Sequence, residues 1–99
     1  MPGLDEFAAL TRAIGEYTVE ALGKENLSAL QVVAHPREFS AFVEIALEDR
    51  SDAAQRRAIE VMFEVEQVYW DEIALTYVFV DQIEDTDDVE ASQLQYSYA

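Results

Sequence analysis

A chain of 99 residues, 51% hydrophobic and 11% aromatic, can close one core without disulfides or a structural metal. It has no cysteine, which excludes disulfide frameworks, thiolate zinc sites and thiol nucleophiles. Its net charge of −15 repels nucleic-acid phosphates and anionic lipid and attracts cations or basic proteins, although an acidic surface also serves solubility alone.

The opening MPGLDEFAAL has neither a basic n-region nor an apolar h-region, and no apolar run approaches the ~20 residues of a bilayer span. A cytoplasmic protein that binds neither membrane nor nucleic acid directly is the expectation. Residues 4–22 place Leu4, Phe7, Ala8, Ile14, Ala21 and Leu22 on one helical stripe, widened by Leu10 and Tyr17. Pro2 and Asp5 suit its start, and Gly23 stands where a glycine closes a helix. Gly15 costs such a helix about 1 kcal/mol against alanine, and is read as a point where another element comes close.

LSALQVVA, residues 27–34, reads as a strand, and HPRE as its turn, because Pro36 cannot donate to a ladder. FSAFVEIAL, 39–47, alternates: Phe39, Ala41, Val43, Ile45 and Leu47 share one face, Ser40, Phe42, Glu44 and Ala46 the other. These two strands form a hairpin. Ser51 and Asp52 open a second helix, with Ala54, Ala58, Val61, Val65, Val68 and Tyr69 as its stripe. Residues 61–70 also fit a strand, but no Gly, Pro or Asn interrupts 52–70, which favours the helix.

IALTYVFV, 73–80, is a strand with Ile73, Leu75, Tyr77 and Phe79 on its bulky side and Ala74, Thr76, Val78 and Val80 on its small side. Apolar on both sides, it belongs inside a sheet, and a right-handed crossover would set it beside the first strand. The expected fold is a two-layer α+β domain over residues 1–81. Its order is helix-strand-strand-helix-strand, with a small, mainly antiparallel sheet and both helices on one face. Residues 82–99 then form an acidic, partly flexible tail.

Candidate chemistry is sparse. His35, the one histidine, would need Glu38 and Tyr77 to frame a ligand-binding or catalytic site, but no nucleophile motif accompanies it and a polar hairpin turn explains it better. DQIEDTDDVE, 81–90, has the acids of a calcium loop without its glycine or register, and zinc and redox metals lack ligands, so neither metal nor cofactor is expected. No glycine-rich phosphate loop is present. Arg56 and Arg57 are expected to pair with Glu60 at helical spacing.

Two features point to partners. Glu64, Glu66, Tyr69, Trp70, Asp71 and Glu72 combine hot-spot aromatics with a carboxylate rim, although Trp70 as a core residue at the helix-to-strand join is slightly favoured. Asp81, Glu84, Asp85, Asp87 and Asp88 begin the acidic tail; without residues 81–99 the chain still carries −9. That tail is read first as solvated, so that deleting 83–99 leaves the fold intact, and second as an electrostatic recognition arm. The face bearing Phe42, Ala46, Ala74, Val78 and Val80, with Ser40, Glu44 and Thr76 among them, is left uncovered and is expected to pair two copies into a dimer. A non-enzymatic acidic protein that engages a basic protein, as a neutralising inhibitor would, is the expected function. The alternatives are the His35/Glu38/Tyr77 site and a self-associating subunit.

Overall fold

The first helix stops where the chain needs a positive φ: Gly23 adopts φ 91°, its N–H reaches the Val19 carbonyl at 2.9 Å, and Asn26 Nδ2 donates to the Leu22 carbonyl at 2.8 Å. The second begins at Ser51, whose hydroxyl accepts from the Ala54 N–H at 3.2 Å. A computed structural model of the protein describes residues 4–81, 83 and 94–98. Its elements are α1 (Leu4–Leu22), β1 (Leu27–His35), β2 (Ser40–Leu47), α2 (Asp52–Tyr69), β3 (Ala74–Phe79) and β4 (Leu94–Tyr98). Short 3-10 turns at Lys24–Asn26 and Pro36–Glu38 precede β1 and β2. Among the described residues no helix is long and apolar enough to cross a membrane.

The fold is α+β, and its sheet runs β3-β2-β1-β4. β1 is antiparallel to β2 and to β4, whereas β2 is parallel to β3, so the sheet is mixed rather than mainly antiparallel. Three expectations need correcting here. β3 lies beside β2, not β1; it is an edge strand, not an interior one; and the place beside β1 belongs to β4. The last of these comes from the segment read as tail. Leu94–Tyr98 is part of the sheet, so a domain boundary at residue 81 leaves out one of its strands.

Register assigns the faces. Val32 opposes Val43, which opposes Tyr77, and Val32 also opposes Tyr96; these residues and their i±2 neighbours share the face that the helices cover. Leu30, Val32, Ala34, Ala41, Val43, Ile45 and Leu47 are buried there against Phe7, Ile14, Val19 and Leu22 of α1 and Ala58, Met62 and Val65 of α2. The stripe of α2 differs from the reading by periodicity: Met62 takes the centre and Val68 points to solvent. In α1 Ala21 is exposed, while Thr11 and Thr18 are buried, each hydroxyl donating 2.7 Å to the carbonyl four residues back. That bond satisfies the hydroxyl and lets threonine sit in the core.

Gly15 is the point of close approach. The Tyr96 ring lies where its Cβ would be, well inside van der Waals contact, so α1 and β4 meet through the absence of a side chain. Phe39 is the other backbone special: at φ 50° it closes the β1–β2 connection, its ring meets that of Phe7 in a tilted contact at 5.6 Å, and its carbonyl accepts the Ala74 N–H at 2.8 Å. It thereby ties the hairpin, α1 and the start of β3 together.

Candidate protein interface

A helix whose apolar residues all served the core would keep them on one stripe; α2 does not. Ala58, Met62 and Val65 face the sheet, but Ile59, Phe63 and Trp70 lie on a second stripe at 46%, 61% and 74% exposure. Trp70 caps the C-terminal end of α2 in helical geometry and is, among the described residues, the most exposed of the large hydrophobic ones. The expectation that it packs in the core is overturned. The helix-to-strand join is filled by Ile73, buried and bonded through its N–H to the Tyr69 carbonyl at 2.9 Å.

Around Trp70 the charges are of one sign. Glu66 sits one turn before it on the same stripe, Asp71 and Glu72 follow it in the turn, and Glu64 stands on the solvent crest; all but half-buried Glu66 are exposed. The end of a helix carries partial negative charge, so carboxylates in its last turns cost stability that cations there would return. α2 has no base in its last turn. Arg56 and Arg57 belong to its first half, and neither forms the expected pair with Glu60; among the described residues the one ion pair is Arg50–Asp81, at 3.1 Å.

That pair removes Asp81 from the candidate surface. Its carboxylate is already matched, and it lies beyond the far end of β3 from Trp70. Tyr69 is also largely structural: half-buried, it meets Tyr17 edge-on at 6.1 Å. Burial first, then the Glu72 carboxylate and Tyr17, push its phenol above the ordinary tyrosine range. Glu84, Asp85, Asp87 and Asp88 lie outside the described residues. Among the described residues the structure therefore gathers Glu66, Trp70, Asp71 and Glu72, while Asp81 stands apart and Tyr69 is committed to Tyr17.

It also adds residues the sequence did not flag. Glu72 shares a shallow cavity with Glu6, Phe7, Leu10 and Phe39, and Phe39 is exposed at its mouth. An apolar dimple flanked by two carboxylates thus adjoins the turn that carries Trp70. The usable signal was the position of Phe39, a bulky residue directly after a Pro-containing turn, where backbone geometry decides which face its ring takes.

The open sheet face is different in kind. Ala74, Thr76 and Val78 are exposed on it, Phe42, Glu44, Ser40 and Val80 are half-buried, and Ala46, counted as contact surface, is fully buried. Glu44 and His35 are its ionisable groups on β1 to β3, so it lacks the acid density of the α2 end. His35 opposes Ser40 on this face, whereas Tyr77 opposes Val43 on the helix-covered face, and the proposed His35/Glu38/Tyr77 constellation does not form. Compared with known proteins, the chain matches no family model, no curated protein and no solved structure.

Proposed function

We propose that the protein is a non-enzymatic binding module that engages a basic polypeptide at the C-terminal end of α2. One observation carries this reading: the single tryptophan of the chain stands 74% exposed at a helix end whose charged neighbours along the chain, Glu64, Glu66, Asp71 and Glu72, are all negative. A guanidinium or ammonium group placed over the Trp70 ring gains cation–π attraction, meets Glu66, Asp71 and Glu72, and compensates the helix terminus in the same position. An apolar side chain next to it would enter the dimple formed by Phe7, Leu10 and Phe39. The net charge of −15 steers such a partner toward the surface and speeds its approach. Neutralising a basic enzyme or toxin is one use of such a module.

The experiment uses Trp70 as its own reporter. Affinity capture, followed by titration of the purified partner against Trp70 fluorescence at low and high salt, should give a basic partner that alters the emission and is released as salt rises. Trp70→Ala and Glu72→Lys should each weaken binding at least about tenfold, the scale of a hot-spot truncation. A partner held equally by both variants, or indifferent to salt, refutes the reading.

A further inference from the structure

The outer edge of β3 is bare among the described residues, and the backbone pattern shows what it offers. Ala74 donates to the Phe39 carbonyl and Val80 to the Ile45 carbonyl, so the even-numbered residues of β3 turn their peptide groups toward β2. Leu75, Tyr77 and Phe79 consequently turn their N–H and C=O groups outward. Their side chains lie on the helix-covered face and are half-buried, with Tyr77 and Phe79 in edge-on contact at 5.9 Å. ALTYVF carries no charge, no proline and no bulge, none of the devices by which edge strands avoid pairing.

Above this edge runs the second stripe of α2. Arg56, Ile59, Phe63 and Glu66 follow the i, i+3, i+7, i+10 spacing of a coiled-coil seam, apolar in the middle and oppositely charged at its two ends. The helix runs back along β3: Gln55 shares a small cavity with Phe79, and Ile73 is bonded to Tyr69. With about 1.5 Å per helical residue and about 3.3 Å per strand residue, Tyr77 lies level with the stretch between Ile59 and Phe63.

We propose that a second copy of the chain docks on this edge, β3 against β3 in antiparallel register about a two-fold axis at Tyr77, making one continuous eight-stranded sheet. Tyr77 then exchanges backbone hydrogen bonds with its symmetry mate, and Leu75 with Phe79 of the second copy. The same axis sets Ile59 against Phe63 of the second copy and Arg56 against its Glu66; both pairs are centred on the same helix position, as a two-fold demands. Spacing agrees as well. Each copy covers four strands with two helices, so the junction brings the two α2 helices together two strand spacings apart, about 9–10 Å, within the normal interaxial range. Charge selects the occupant: a basic partner would oppose Arg56, whereas a second copy supplies Glu66 to it. Trp70 falls at the rim, opposite the first residue of the facing helix, so Trp70, Asp71 and Glu72 are left outside the seam, and of the surface proposed for a basic partner Glu66 alone is shared with it.

Sedimentation of the full chain at low and high salt tests this. Two acidic copies repel, so the dimer should strengthen as salt screens them. Arg56→Glu and Glu66→Arg should each weaken the dimer by roughly tenfold or more, because the symmetry places like charges together twice. Combining the two in one chain should restore it. Phe63→Asp should leave a monomer, and Val78→Asp, on the open sheet face, should leave the dimer intact. The substituted positions of α2 are exposed or half-buried, and rescue by the double exchange separates a lost contact from a lost fold. A monomer at every salt concentration overturns the proposal, whatever else then occupies the edge. So does a dimer broken by Val78→Asp but not by Phe63→Asp, or a double exchange that fails to restore what the single ones remove.

Discussion

At the β4 edge of the sheet, α1 lies close over the strand: Gly15 makes room for the Tyr96 ring, and Tyr96 and Tyr98 both pack against the core. At the β3 edge, α2 commits three side chains, Ala58, Met62 and Val65, to the interior and turns Ile59 and Phe63 away from it. The strand beneath packs Leu75, Tyr77 and Phe79 half-buried against the core, as β4 does Tyr96 and Tyr98, so the difference between the edges lies in the helices. Apolar surface is therefore spent on the fold at one edge and held in reserve at the other. In a chain of this size the natural use of apolar surface left outside the core is contact with another molecule.

The widest separation between the two edges should come from removing one of them. Ending the chain before Leu94 strips β1 of its β4 ladder and takes Tyr96 and Tyr98 from the core, and should lower stability by at least about 4 kcal/mol, more than a typical single core truncation. Chemical denaturation measures it; an unchanged midpoint would mean that β4 contributes nothing to the folded state. Single substitutions should reproduce the contrast on the two helices. Ile14→Ala on α1, fully buried, should cost about 2–5 kcal/mol, and Phe63→Ala on α2 within about 0.5 kcal/mol when measured on the monomer. Comparable losses at both positions would erase the distinction.

The smallest effect sharpens the comparison at its polar end. Burial first, then Glu16 and Tyr98, raise the Tyr96 phenol above its ordinary value of 10.0, as burial, Glu72 and Tyr17 raise that of Tyr69. Folding then favours the neutral phenol. Its contribution is complete below the unfolded value near 10.0 and is lost as pH rises through the higher folded value. Melting temperature should therefore fall above pH 10, and Tyr96→Phe should flatten part of that fall; an identical alkaline slope in the variant would remove Tyr96 from the account.

Most elements can be read from periodicity because their patterns are local. The alternation of β2, the glycine end of α1 and the Ser51 cap of α2 each involve neighbouring residues, and each is found where expected. What pairs with what is not local. Nothing in IALTYVFV says whether it lies beside β1 or β2; the answer depends on β4 taking the other side of β1. The signal for β4 was present in Tyr96 and Tyr98 alternating with Gln95 and Ser97, but it follows a run of acids and the composition argued against a strand. Trp70 is hard to place from sequence for a similar reason. A large aromatic in a small domain suggests core, and only the second stripe, with Ile59 and Phe63 spaced by helical turns before it, indicates a side chain facing out.

The arrangement of the sheet also orders its assembly in time. β1 and β2 are joined by one short turn and β2 and β3 by one helix, whereas Leu30 must find Tyr98 and Ala34 must find Leu94 across most of the chain. Closing that long loop carries the largest entropic cost in the sheet, so β4 adds to a platform already formed by the hairpin and α1. Interactions made after the rate-limiting step govern how fast a protein comes apart rather than how fast it forms. Where β4 docks after that step, the seat of Tyr96 on Gly15 governs how fast the molecule unfolds rather than how fast it folds.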